Sequence, residues 1–121
     1  MSRGLGDVYK RQAVDLLDLY AEGFDPVLGR EERLGYHAIP ANRAPVEGYV
    51  ARLEAAEALV FVFPVWCYGV PAILKGFFDR VFLPGVSFTL GADGIARPAL
   101  THINRVVGIT SYGRPWWSRQ S

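Results

Sequence analysis

Apolar residues run without a break from Ala58 to Phe63 (ALVFVF), and then the pattern changes period. The run is short, β-branched and aromatic, and bounded by proline. That predicts a strand buried on both faces. Pro64 stops it, because proline has no N–H for a sheet ladder. After the loop Pro64–Val70 the spacing becomes helical. Ile73, Leu74, Phe77, Phe78, Val81 and Phe82 fall on one broad face of a helix predicted over Pro71–Phe82. Gly69 lets the backbone turn between strand and helix, and Pro71 suits the first helical position. Lys75 and Asp79 stand four apart on the polar side, a pair that adds only about 0.2–0.5 kcal/mol.

Elsewhere the periods are weaker. Val14, Leu16, Leu17 and Leu19 mixed with Asp15 and Asp18 predict a strand over Ala13–Tyr20. Gly23, Asp25 and Pro26 mark a turn. Arg30–Tyr36 is charged and reads equally as a short helix or a solvated loop. Pro40–Pro45 is a breaker cluster. Val46, Tyr49, Val50, Leu53 and Ala56 give Val46–Ala58 a helical spacing. Pro84, Gly85, Gly91, Asp93, Gly94 and Pro98 punctuate a long connection in which Ser87–Leu90 reads as a short extended piece. Arg105–Thr110 is a β-branched run and predicts a further strand. Strand, helix, strand, helix, strand implies a parallel sheet with right-handed crossovers.

In such sheets ligands sit beyond the carboxyl ends of the strands. Loop Pro64–Val70 lies there and carries Trp66, Cys67 and Tyr68. Aromatic side chains and backbone amides in that place suit a flat heteroaromatic ring, and a flavin is the ligand suggested.

Composition narrows the classes. A chain of 121 residues makes one domain at most. Half its residues are hydrophobic and 21% are charged, which is globular rather than disordered. A net charge of +1 gives no reason to expect nucleic-acid or membrane attraction. The single cysteine makes no internal disulfide and agrees with a reducing cytoplasm. No apolar run is long enough to span a bilayer, and Met1–Gln12 lacks the apolar core of a signal peptide.

The stretch Phe63–Phe82 (FPVWCYGVPAILKGFFDRVF) resembles the signature after the third strand of the NAD(P)H:quinone oxidoreductase family, the DT-diaphorase-like branch of the flavodoxin-like flavoproteins. Three further stretches agree in order. Asp18–Leu28 (DLYAEGFDPVL) resembles the second strand and its loop. Pro84–Leu90 (PGVSFTL) resembles the connection after the third helix. Val106–Gly113 (VVGITSYG) resembles the fourth strand and its flavin-contacting turn. The resemblance covers about Val14 to Trp117. It implies an α/β, flavodoxin-like three-layer sandwich with a parallel sheet, of which about three family strands are present.

Two departures accompany the match. The family's first strand and Ser/Thr-rich phosphate loop have no counterpart. In their place stands Met1–Gln12 (MSRGLGDVYKRQ), which reads as a translated sequencing-adapter remnant ahead of a partial flavodoxin-like domain over residues 13–121. The family's fifth strand and last helix, with the Tyr and His assigned to hydride and proton transfer, are expected beyond Ser121. The sequence thus reads as an internal piece of a longer enzyme. In the order 2-1-3-4-5, losing strand 1 removes the member between strands 2 and 3. Their facing backbone groups must then pair with each other, find water, or stay unsatisfied at roughly 1–3 kcal/mol each. Against a net stability of about 5–15 kcal/mol, the chain alone is expected to be unstable, to aggregate, or to pair its strands in a non-family way.

The resemblance implies a flavin site framed by Pro64, Val65, Trp66, Cys67, Tyr68 and Gly69, against the alternative that these aromatics are core or interface packing. Across the sheet, the hydroxyls of Thr110 and Ser111 and the amides of Tyr112 and Gly113 are expected at the ring's polar edge, against an ordinary strand-end turn. Tyr112 stands where a glycine is common. Cys67 stands where an aromatic is usual and reads as a packing cysteine rather than a redox thiol. His37 and His102 read as loop or surface histidines without metal-ligand spacing, so no metal is expected. Gly4-Leu5-Gly6 follows no strand and is not a Rossmann fingerprint. Trp116 and Trp117 fall where the family enters its substrate-side loops.

The function implied is two-electron transfer from NAD(P)H through FAD or FMN to a quinone or similar acceptor, in a ping-pong cycle, by a cytoplasmic homodimer. Apolar material near Trp66, Tyr68 and Phe88 suits that interface. The alternatives are an FMN reductase, a regulatory flavoprotein of a potassium-efflux system, or a flavin-free piece without function of its own.

Overall fold

The computed structural model describes residues 13–111. In chain order these form helix α1 (Arg30–Leu34), a 3-10 helix (Ala41–Val46), helix α2 (Glu47–Ala55), strand β1 (Ala58–Pro64), helix α3 (Ala72–Val81), strands β2 (Phe88–Leu90) and β3 (Ala96–Pro98), and strand β4 (Arg105–Ser111).

β1 and β4 pair in parallel with Ala58 opposite Arg105, Phe61 opposite Gly108 and Pro64 opposite Ser111. The crossover between them holds α3 and the antiparallel β2–β3 hairpin. α3 carries the long apolar face its spacing predicts. Leu74, Phe77 and Val81 are buried with Phe24, Val46, Val50, Leu53, Leu83 and Val86 in one cluster. Leu59, Phe61 and Phe63 of β1 pack onto that cluster, and the Phe61 and Phe78 rings meet edge to face at 5.2 Å. Pro71 sits one position earlier than predicted, at the N-cap with extended backbone (φ −60°, ψ 151°). Pro40–Pro45 does not break the chain entirely: most of it winds into the 3-10 helix, which accepts Pro45.

The Phe24–Glu32 segment is held to α3 at Gly76, Phe77 and Arg80. Gly76 is buried in mid-helix, and a Cβ added there would fall inside the ring, Cα and carbonyl oxygen of Pro26. Only glycine permits that approach. One turn on, Arg80 makes a two-pronged bond to Glu32 (Nε to Oε1 and Nη2 to Oε2, both 3.0 Å). The same guanidinium donates to the Asp25 carbonyl at 2.6 Å and lies 5.5 Å from the centre of the Phe24 ring. On the opposite flank, the half-buried Asn42 amide donates to the carbonyls of Tyr36 and Pro84, both at 2.9 Å, joining the 3-10 helix to the chain after α3.

Two expectations fail. Ala13–Tyr20 forms no strand. It is irregular up to a turn at Asp18, with Val14 and Leu16 88% and 82% exposed. A strand needs a neighbour to take its backbone groups, and among the described residues β1 pairs only with β4. The segment is held instead by Arg52 of α2, which bonds Asp15 (2.6 Å), Glu22 (3.2 Å) and the Leu16 carbonyl (3.1 Å). Arg52 holds the Asp15 carboxyl below the usual carboxylate range. So two parallel strands are described where about three were expected.

Nor is β1 buried on both faces. Its side chains alternate: Leu59, Phe61 and Phe63 face the helices, whereas Val60 and Val62 are exposed, Val62 by 73%. A continuous apolar run is what a doubly covered strand requires, but here only one face is covered. Helices and sheet form two layers among the described residues.

Candidate functional site

The strand ends build the candidate site. Parallel register brings Phe63 beside Thr110 and Pro64 beside Ser111. The Val65 amide then donates to the Ser111 carbonyl at 2.8 Å, carrying the pairing one residue past Pro64. Pro64, Val65, Thr110 and Ser111 are thereby gathered at one edge of the sheet, as their positions in sequence predict. Thr110 and Ser111 lie within β4 rather than in a turn. Tyr112 and Gly113, with Trp116, Trp117, Gly4, Leu5 and Gly6, lie outside the described residues.

The loop after β1 is a two-residue hairpin. Trp66 and Gly69 exchange both backbone hydrogen bonds at 3.1 Å. Cys67 and Tyr68 between them have φ of 50° and 64°. Positive φ at both central positions is the geometry of a type I′ turn, normally filled by Asn and Gly. The left-handed backbone costs an L-residue roughly 1–2 kcal/mol. The turn predicted at Gly69 therefore falls on the two bulky residues before it. Nothing in the local sequence signals this, because neither cysteine nor tyrosine favours φ above zero.

This turn projects side chains outward. Trp66 and Tyr68 are exposed, the latter by 74%, and Cys67 is exposed. Cys67 is thus not the packing cysteine expected. In a type I′ turn its side chain leaves the strand ladder, and among the described residues no layer covers it. Core packing of the loop aromatics is excluded for the same reason. Among the described residues, neither the Cys67 nor the Tyr68 amide donates to a backbone or side-chain acceptor. Two free donors flanked by exposed aromatic faces meet the requirements of a planar ring with acceptor atoms along one edge. The hydroxyls of Thr110 and Ser111 add polar groups at the adjoining strand end.

His37 and His102 are exposed and lie in loops, as read from the sequence, with the His37 ring edge-on to Tyr36 at 5.1 Å. His37 is remote in sequence from both carboxyl ends, and His102 precedes the amino end of β4, the other end of the strand from Thr110 and Ser111. Sequence reading named Pro26 only as a turn residue and did not select Gly76 or Arg80; together these three seat α3, the helix that follows the loop. Gly76 was visible only as a glycine in a helical period, a weak signal of close approach.

Comparison with known proteins agrees with this architecture. Residues 3–120 match the model of the flavodoxin-like fold family, and the chain belongs to that family. It is 38% identical to NAD(P)H dehydrogenase (quinone) 1 of Cavia porcellus, over 65% of this chain and 34% of that protein. It is 35% identical to an FMN-dependent NADH:quinone oxidoreductase of Caldicellulosiruptor saccharolyticus, over 67% and 43% of the two chains. The solved NAD(P)H:quinone oxidoreductase of Methanothermobacter marburgensis superposes with a TM-score of 0.72 at 28% identity, covering 88% of this chain and 53% of that one. The chain therefore spans between about a third and a half of the length of these relatives. Among the described residues no helix is long and apolar enough to cross a membrane.

Proposed function

We propose that the protein to which this chain belongs is a flavin-dependent NAD(P)H:quinone oxidoreductase, with the flavin ring held between the Pro64–Gly69 loop and Thr110 and Ser111 at the end of β4, together with Tyr112 and Gly113 that follow in sequence. One observation carries the reading: the Cys67–Tyr68 turn is held in left-handed backbone at the carboxyl end of β1, with two unused amides between exposed aromatic side chains. Strain of this kind persists only where surrounding structure imposes it, and it clusters at ligand sites. Relatives named as quinone oxidoreductases, some FMN-dependent, support the same assignment.

The bound flavin, FAD or FMN, supplies two-electron chemistry between NAD(P)H and a quinone-like acceptor. This chain's own part is positional. The Cys67 and Tyr68 amides hold the polar edge of the ring, and the hydroxyls of Thr110 and Ser111 hold it from the neighbouring strand. Exposed Trp66 and Tyr68 shield the open face from water and offer a surface for the donor and then the acceptor. The protein acts in the cytoplasm as a homodimer, with the Trp66, Tyr68 and Phe88 region at its interface.

Titration of free FAD and FMN with the purified chain, read by fluorescence quenching, tests the site. Saturable binding in the micromolar range, weakened by Thr110→Val with Ser111→Ala, is expected. No binding of either flavin removes the site from this chain. It favours the flavin-free reading, for which the lost strand at Ala13–Tyr20 already speaks.

A further inference from the structure

We propose, resting on the flavin reading above, that Arg80 is a positioning residue for the Pro64–Val70 loop, fixing through α3 where the loop presents its Trp66–Gly69 turn to the ring. The loop hangs between two anchors. At one end the Val65 amide is bonded to the Ser111 carbonyl of β4. At the other the chain runs straight into α3, whose first turn closes on the Pro71 carbonyl through the amides of Leu74 (3.1 Å) and Lys75 (3.0 Å). A shift of α3 along its axis therefore moves one end of the loop and not the other. The apolar face of α3 sets that position only weakly, because hydrophobic contacts are non-directional. Arg80 supplies direction from about 12 Å along the axis from Ala72, at a rise of about 1.5 Å per residue.

Burial and geometry single out this guanidinium. Its pair with Glu32 is the least exposed ion pair among the described residues, the two side chains being 12% and 22% exposed. Every other pair has a partner at least 38% exposed. Each arm of the fork is engaged: Nε and Nη2 donate to Glu32, Nη1 donates to the Asp25 carbonyl, and the group lies over the Phe24 ring. The gripped segment is itself fixed, because the Phe24 ring meets Tyr49 of α2 edge to face at 5.1 Å and Phe77 of α3 at 5.6 Å. Arg80 thus ties α3 to α2 through a third stretch of chain. A two-pronged arginine–carboxylate bond adds geometric specificity as well as energy. A buried ion pair gains little stability over apolar side chains of the same volume. What this one adds is the register of α3.

Arg80→Met combined with Glu32→Leu in the full chain separates geometry from stability. Without flavin, the double variant is expected to melt close to wild type, since an apolar pair replaces the buried ions. Amide exchange then reads the loop with no ligand present. The Trp66 and Gly69 amides, which bond each other's carbonyls, should exchange about tenfold faster than in wild type, with the interior amides of α2 unchanged. Titration with FAD and with FMN, read by fluorescence quenching, should show about tenfold weaker binding at that unchanged melting temperature. Arg80→Lys keeps the charge and loses the fork. It should fall between the two, and it carries the same comparison where the double variant does not fold. Loop amides that exchange as in wild type, loop and α2 amides that accelerate alike, or Trp66 and Gly69 amides already unprotected in wild type would overturn the proposal. If wild type binds neither flavin and the loop amides alone accelerate, the flavin reading fails and the role of Arg80 in placing the loop stands.

Discussion

Val81 and Ile109 are both β-branched apolar residues in regular elements, yet Val81 is wholly buried and Ile109 is 54% exposed. The difference lies in what stands opposite. Val81 on α3 faces a cluster built by Phe24, α2 and the chain after α3. Ile109 lies on the sheet face away from that cluster, where the described residues supply no second layer. Hydrophobicity selects which side chains are able to be core. A partner layer decides which of them become core.

The largest test of this contrast is Gly76→Ala. Its Cβ would collide with Pro26 backbone, so the loop and helix must separate, at a cost of about 2–4 kcal/mol. Gly48→Ala on α2 meets nothing within 4 Å and is expected to gain about 0.5 kcal/mol. Thermal denaturation of the pair should move in opposite directions, and a neutral Gly76→Ala would mean the loop does not seat on α3. Next is Val81→Ala, expected to cost about 2 kcal/mol, against less than about 0.5 kcal/mol for Val62→Ala on the open face. Equal losses would show that the face is covered in solution.

Smaller again is Tyr68→Gly. Relief of the left-handed backbone is expected to stabilise the chain by about 1 kcal/mol while weakening any flavin binding, because the ring loses its aromatic neighbour. A denaturant midpoint that falls would deny that the turn is strained. The smallest effect is the pH response of the Asp15–Arg52 tether. The folded carboxyl lies below its ordinary range, so its contribution is complete above that range and fades as pH falls through about 4 and below. Wild type and Asp15→Asn should therefore converge in melting temperature in acid and differ slightly near neutrality. A difference that grows in acid would contradict the assignment.

Much of the fold was legible because it is written locally. β1, α2, α3 and β4 each carry a period or an apolar run that one stretch of chain expresses by itself, and proline marks the end of β1. The β2–β3 hairpin was half visible: Ser87–Leu90 read as extended, but its mate Ala96–Pro98, an arginine between an alanine and a proline, has no strand signature. Loop Pro64–Gly69 was located from the strand-end rule and the family motif. Its left-handed turn was not, since cysteine and tyrosine do not announce positive φ.

By itself the sequence determined the order of β1, α2, α3 and β4, the apolar face of α3, the family resemblance, and the loop on which a flavin site is proposed. These follow from residue spacing and from chemistry carried by single stretches. Tertiary structure alone decided three things. It left Ala13–Tyr20 without a strand, because a strand exists only beside a partner that takes its hydrogen bonds. It gave β1 one buried face, because burial is a property of two surfaces. It drew Pro26 against Gly76 and Arg80 onto Glu32, because contacts between distant segments depend on where the chain returns, which no local pattern records.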